Sequence, residues 1–469
     1  MGSLIIAIVI PVGICLLTLT RWSKKFGVDP WLQRLHQKKE KRSVLKGIKK
    51  LATQHEAASS LWELIHWDGA GSWPPGANHK YTVWPEPLQP YRDIYMELAP
   101  LLPQEEPSLD NQVNEARIEA FRQRYRTLLR ERINLIQVMH FLQVVEAGHW
   151  GILPRDKFNA FYCSIASARH AYRWGTIPVV LVAQREKSID LPLELVEPWE
   201  LMQKHFGCPS ASGNLTSNIL LNFDIDGKHI YKINTGLNND VIAAEETFAR
   251  VFHEVESLSL RIYHDLILSI IAFARNDMPA VARHVEGVNE QVQYVFGVYF
   301  DKLHNDSIPH SMWLSRIQGF YAWALIERNE TTHQWEQFDG LSGNQALIFQ
   351  ALDAWLGLGQ YLSPRDMETS VPRRQREFCY ALRKHSFRGV LNRESDDEYE
   401  NRILKSFEKI VKKLRMFRNV HRVRAKTYLS QPAPERLPMT AGKGVLQPTL
   451  EASLEQLDVF MVRRLEETL

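Results

Sequence analysis

Residues 411–428 read Val411-Lys412-Lys413-Leu414-Arg415-Met416-Phe417-Arg418-Asn419-Val420-His421-Arg422-Val423-Arg424-Ala425-Lys426-Thr427-Tyr428, a basic helix with one special face. Val411, Leu414, Arg418, His421, Ala425 and Tyr428 recur at steps of three and four, so a 3.6-residue period turns all six to one side. A cation and an imidazole therefore share a face that otherwise looks inward. Burying an unpaired guanidinium is costly, so Arg418 needs an acid partner. An inward imidazole with a free ring nitrogen is what an iron porphyrin takes as an axial ligand. A core or surface histidine satisfies the same pattern, and the helix alone leaves both readings open.

Upstream, Phe338-Asp339-Gly340-Leu341-Ser342-Gly343-Asn344-Gln345 runs into the apolar helix Ala346 to Gly357, which carries one acid, Asp353. With Phe349-Gln350, Leu356-Gly357 and the later Arg418-Asn419-Val420-His421, this order resembles the indoleamine 2,3-dioxygenase family. Val371 to Phe378 and Ser386 to Leu391 add to the likeness, which is good from about Ile308 to Leu429 and thin before it. The resemblance implies that His421 is the proximal ligand of haem b, that Asp353 pairs with Arg418 to brace it, and that Ser342 and Gly343 line the cofactor pocket. Such a pair one shell out from a ligand fixes the orientation of the ring.

Length and charge agree with a large folded body. At 469 residues and 45% hydrophobic content the chain can bury a sizeable core. A net charge of +3 gives no reason to propose nucleic acid as a partner. Cys15, Cys163, Cys208 and Cys379 lie far apart, which suggests neither a zinc site nor a disulfide framework.

The amino terminus reads as a separate unit. Leu4 to Thr20 is an uncharged run followed by Arg21, Lys24 and Lys25. Its length is at the short end of what a bilayer-crossing helix needs, about 17–25 residues. A cleaved signal peptide carries its positive charge before the apolar run, whereas here the charge follows. The positive-inside rule then predicts a single membrane anchor with the body in the cytosol, assigned by analogy to the endoplasmic reticulum. The expected organisation is an anchor at 1–25, a smaller amino-terminal domain with linker at 26–190 and a helical haem-binding domain at 191–469. Asn214-Leu215-Thr216 and Asn329-Glu330-Thr331 have glycosylation spacing but would be silent in that topology.

The fold expected is mainly α. Asn111 to Val145, Val241 to Ala274 and Val281 to Tyr299 read as long helices, Gly69 to Pro90 and Leu429 to Val445 as loops. Strand signals are confined to Ile177 to Val182 and Asn218 to Ile233.

On the substrate side the resemblance carries over with changes. Leu191 to Leu201 matches a family helix start, putting Glu197 where the family has tyrosine and Glu200 where it has a small residue. Asn222, in Leu221-Asn222-Phe223, falls where the family presents a serine and could donate a hydrogen bond. Pro309 to Trp323 resembles the helix whose arginine binds the substrate carboxylate, with Met312 and Trp313 near the paired aromatics. Arg316 falls one residue early and Ile317 takes its place, a turn of about 100° on a helix. Thr440 to Gly444 is the nearest relic of the family's threonine-glycine-rich loop.

The resemblance thus implies a dioxygenase that inserts both atoms of O2 across the C2–C3 bond of an indole or related aromatic, with an electron donor keeping the iron ferrous. Substrates in view are an elaborated indole in a biosynthetic pathway, or free tryptophan in catabolism. The other readings are a haem monooxygenase or peroxidase-like enzyme using Glu197 or Glu200 as an acid, and an anchored helical interaction protein without cofactor.

Overall fold

A computed structural model describes residues 30–323, 325–328, 335–338, 340–431, 433–440 and 449–468. The expected anchor at 4–20, Asn329 and the relic loop beyond Thr440 lie outside the described residues. The chain runs α1 Pro30–Leu51, α2 Glu56–Trp67, α3 Gln89–Leu98, α4 Asn111–Arg132, α5 Leu135–Glu146, α6 Arg155–Trp174, α7 Leu181–Arg185, α8 Leu193–Phe206 and α9 Leu215–Asn218. It continues with α10 Asn239–Ala274, α11 Met278–Lys302, α12 His310–Arg316, the strands β1 Leu325–Arg328 and β2 Trp335–Phe338, α13 Leu347–Trp355, α14 Pro364–Ser370, α15 Arg373–Lys384, α16 Glu398–Leu429 and α17 Leu450–Glu466. The mainly α expectation therefore holds.

Three long helices position the site, α11 running antiparallel to α10, where Glu254 meets Lys302 and Asp265 meets His284, and parallel to α16, where Glu286 meets Arg402 and Phe300 meets Arg424. α10 packs along α11, α11 along α16, and α17 closes on α16. The reason is in the stripes: α10 buries Phe248, Val251, Val255, Ile262, Leu266 and Ile270, while α11 buries Val281, Val285, Val288, Val292 and Val295 at helical spacing. α10 is long and apolar enough to cross a membrane by length and composition. It also buries Glu245 and Glu256 and packs along α11, as a core helix does. One core cluster runs from Ile48 to Met439, so helices from both halves of the chain share it.

Several sequence expectations are revised. Asn111 to Val145 is two helices, because Asn134 caps α5 by accepting the amide of Gln137 at 3.1 Å. The apolar run 177–182 leads into α7, and 218–233 leaves the last residue of α9 for a 3-10 turn at Leu220–Asn222, further turns and the isolated bridge Phe223–His229 rather than strands. The ladder instead pairs Leu325–Arg328 antiparallel with Trp335–Phe338. Cys163, Cys208 and Cys379 are free and buried. Asn214 is also buried: its side chain caps α9 by accepting the Ser217 amide, which rules out glycosylation there in the folded chain.

Candidate functional site

α16 brings the opening stretch into register. Asp397 caps it by accepting the Glu400 amide at 2.8 Å, and the helix runs unbroken to Leu429. Leu414, Phe417 and Tyr428 are buried on its inner side, and Tyr428 donates its hydroxyl to the Ile308 carbonyl at 2.9 Å.

Arg418 finds the acid its burial requires. Its Nη2 donates to both carboxylate oxygens of Asp353, at 2.7 and 2.8 Å. Asp353 lies on α13 and is 1% exposed. Burial pushes its carboxyl up, and the guanidinium groups of Arg418 and Arg464 pull it back down. Burial likewise lowers Arg418, with Asp353 opposing. A buried ion pair of this kind is held by hydrogen bonds on both partners.

His421 follows one turn later on the same face. Its half-buried ring lies 5.9 Å from Tyr299 and 6.4 Å from Phe417, nearly parallel to the latter at 12°. Around it Phe296, Phe349 and Phe417 stack, with centroids 4.6 to 6.2 Å apart. Burial among these rings pulls the imidazole down to about 4, so it is neutral at pH 7. Neither ring nitrogen has a hydrogen-bond partner among the described residues. A neutral, unbonded imidazole beside flat apolar walls is the donor chemistry that an iron porphyrin accepts, so these residues fit the expected group. The surface clefts between α2 and α15 and beside Arg122 do not include His421.

An aromatic layer ties the small-residue loop to this helix. Ser342 caps the turn Gly343–Gln345, accepting the Asn344 amide, while Gln345 returns its Oε1 to the Ser342 and Leu215 amides at 3.1 and 3.0 Å. Gly343 lies against Phe252: a Cβ there would stand 3.2 Å from the ring. Phe252 contacts Phe248, Phe248 contacts Trp313, and Trp313 meets Tyr428 of α16 edge-on at 5.3 Å. Met312 packs half-buried beside it. His421, Arg418 and Asp353 are thus brought together, and Gly343 and Trp313 connect to their helix through aromatic contacts.

Two expected site residues, Asn222 and Arg316, are engaged elsewhere, and two, Glu197 and Glu200, lie off the inward face of their helix. Asn222 has both amide hydrogens committed, to the Tyr231 carbonyl at 3.0 Å and to His229 Nε2 at 3.1 Å, while its oxygen accepts the Tyr231 amide. Its side chain holds a turn and has no free donor for a substrate. Glu200 is exposed and Glu197 half-buried, because α8 turns Leu195, Trp199, Met202 and Phe206 inward. Arg316 pairs with Glu106 and donates to the Ile177 carbonyl at 3.2 Å. The one-residue offset from Ile317 thus places the guanidinium toward the amino-terminal segments, while Ile317 is fully buried.

Two arginines escaped the sequence reading. Arg464 of α17 forms a second ion pair with Asp353. Arg436, 7% exposed, donates to the Leu314 carbonyl and to Gln318 Oε1, and its Nε and Nη1 have no partner among the described residues. Burial pulls Arg436 down to about 10. The apolar spacing of α17 gave a signal for a packed helix, but nothing in sequence links position 464 or 436 to the elements they reach.

The family description for indoleamine 2,3-dioxygenase matches residues 155–455, more than half of the chain. Among curated proteins none matches.

Proposed function

Because the chain belongs to the indoleamine 2,3-dioxygenase family, and so to the haem-dependent dioxygenases of the tryptophan and indole type, we propose that it oxygenates an elaborated, flat indole beside His421. The observation that carries this reading is the unbonded neutral imidazole of His421 on a helix braced by Arg418 and Asp353. His421 would hold the iron of haem b, and Phe349 and Phe417 would face the macrocycle. When bound, that haem supplies the activation of O2, whose two atoms enter across the indole C2–C3 bond.

The protein's own part is binding, orientation and exclusion of water. Trp313 and Met312 offer a flat apolar surface for an aromatic ring, and Gly343 leaves Phe252 in place behind it. Ser342 fixes the loop that carries Gly343 by its cap. Arg316, tied to Glu106, is not free to meet a carboxylate, which favours a substrate recognised by its ring rather than as a free amino acid. Asn222 and Glu200 leave the proposed substrate-binding set for the reasons given above. We assign the body to the cytosolic face of the endoplasmic reticulum, anchored by residues 4–20 and served there by an electron donor.

The test is an absorption spectrum of the haem-supplied protein in ferric, ferrous and CO-bound forms, for wild type and His421→Ala. A histidine-ligated spectrum lost in the variant supports the ligand. A well-folded wild type that takes up no haem sinks the reading and leaves an anchored interaction protein. Turnover of indoles under isotopically labelled O2 then separates the reactions: two labelled atoms in the product mean dioxygenation, one means monooxygenation.

A further inference from the structure

We propose that Arg464, on the carboxyl-terminal helix, is a positioning residue for the proximal imidazole, acting through Asp353 and Arg418. The inference rests on the reading of His421 as haem ligand. Arg464 lies beyond residue 455, where the family match ends. It is 4% exposed, and its guanidinium reaches Asp353 Oδ2, the Gly359 carbonyl at 3.1 Å and Glu467 at 3.3 Å, with the Tyr361 ring 4.7 Å away.

Arg418 is gripped from two sides. Asp353 accepts from Nη2, and the Thr468 hydroxyl accepts from Nη1 at 2.5 Å. Arg464 meets the first grip through its side chain and the second only through its main chain. Asp353 is shared between the two guanidiniums, and Thr468, fully buried, donates its own proton to the Arg464 carbonyl at 2.8 Å. The carboxylate is therefore clamped between a helix that carries the ligand and a helix that does not. Without the Arg464 side chain, Asp353 Oδ2 loses one of its two cations and the carboxylate is held from one side only, so Asp353 and the Arg418 guanidinium on it are free to shift, while Thr468 keeps its main-chain acceptor. His421 stands three residues from Arg418 on a continuous helix, and any rotation of that turn re-aims the imidazole.

A residue that merely stabilised α17 would leave the iron–histidine bond unchanged in protein that folds. The experiment therefore reads that bond, in full-length ferrous haem-loaded protein, by the resonance Raman iron–histidine band. A second readout is the rate of haem transfer to apomyoglobin. Arg464→Met should shift or broaden the band and speed haem loss on the order of tenfold, the usual size of an outer-shell effect. Arg464→Lys keeps the charge without the planar fork and should recover part of the difference. Arg463→Ala, at an exposed neighbour, should match wild type. A folded Arg464→Met with the wild-type band and a haem-loss rate within about twofold of wild type overturns the proposal, that margin lying well short of the 10–100-fold outer-shell range. If Arg464→Met does not fold, Arg464→Lys is read in its place: a shifted band with faster haem loss supports the proposal, and a wild-type band with a wild-type loss rate overturns it. Wild type that binds no haem overturns the functional reading itself, and this inference with it.

Discussion

Asp353 carries two guanidinium groups, and removing its carboxylate leaves both without their anion in a buried place. Taking one partner out of a buried ion pair costs roughly 3–5 kcal/mol, far more than a surface pair contributes. Asp353→Ala should therefore lower stability by about that much in chemical denaturation and reduce haem retention. Asp458, whose pairs with Arg422 and Lys426 are partly open to water, provides the contrast. Asp458→Ala should cost under about 1 kcal/mol, and a cost equal to that of Asp353 would refute the argument from burial. The helical pattern showed that Arg418 needs an acid, and the family resemblance supplied Asp353 as that acid. The sequence could not show Arg464, since α17 approaches through tertiary packing that no local pattern encodes. Asn222 failed for a related reason: motif position put its amide on the substrate side, but the turn it closes takes both of its hydrogens.

At the scale of elements, α16 is only as well placed as its amino-terminal cap and its packing allow. Asp397 accepts the Glu400 amide, so Asp397→Ala should lower stability by about 1 kcal/mol without changing the helix content of the folded protein. A loss near zero in thermal melts would mean the helix start is held by packing alone. Long helices with unbroken stripes, α10 and α11, were legible in sequence to within a few residues, because burial on one face imposes a period that composition cannot hide. Where a single asparagine interrupts such a stripe, as at Asn134, the pattern continues while the backbone does not. Short apolar runs deceived for the opposite reason. Residues 177–182 and 218–233 are β-rich in composition, but buried contacts from α4, α6 and the turn at Asn222 fix them as short helices and turns. The hairpin of β1 and β2 had no alternation strong enough to announce it.

Over the whole molecule, buried histidines set the response to acid. His79, His170 and His229 are each 1% exposed, and burial lowers them from 6.5 to about 4, 4 and 3. A histidine depressed in the folded state stabilises the fold above its unfolded pKa, and that contribution is lost as pH falls from about 6.5 toward 4, because only the unfolded chain takes up the proton. Glu256 has the reverse sign: burial raises it to about 7, with Tyr263 and Trp73 bonded to it. Between its unfolded pKa of 4.5 and about 7 the folded state holds the proton, so Glu256 regains stability on acidification. At His205 burial pulls down but Asp68 and Glu146 prevail and raise it, so its stabilisation is full below its unfolded value of 6.5 and is lost as the pH rises through the higher folded value. His253 and His421 are lowered by burial likewise, to about 3 and about 4, so depressed histidines outnumber the raised Glu256 and the unfolded chain binds more protons between pH 6 and 5. By linkage stability falls as the pH falls over this interval. Urea midpoints should fall with it, and His229→Gln, which removes about one proton of the difference, should flatten the slope by roughly 1.4 kcal/mol per pH unit. A midpoint that is level from pH 6.5 to 5 would show that these imidazoles reach water in the folded state, contrary to their burial.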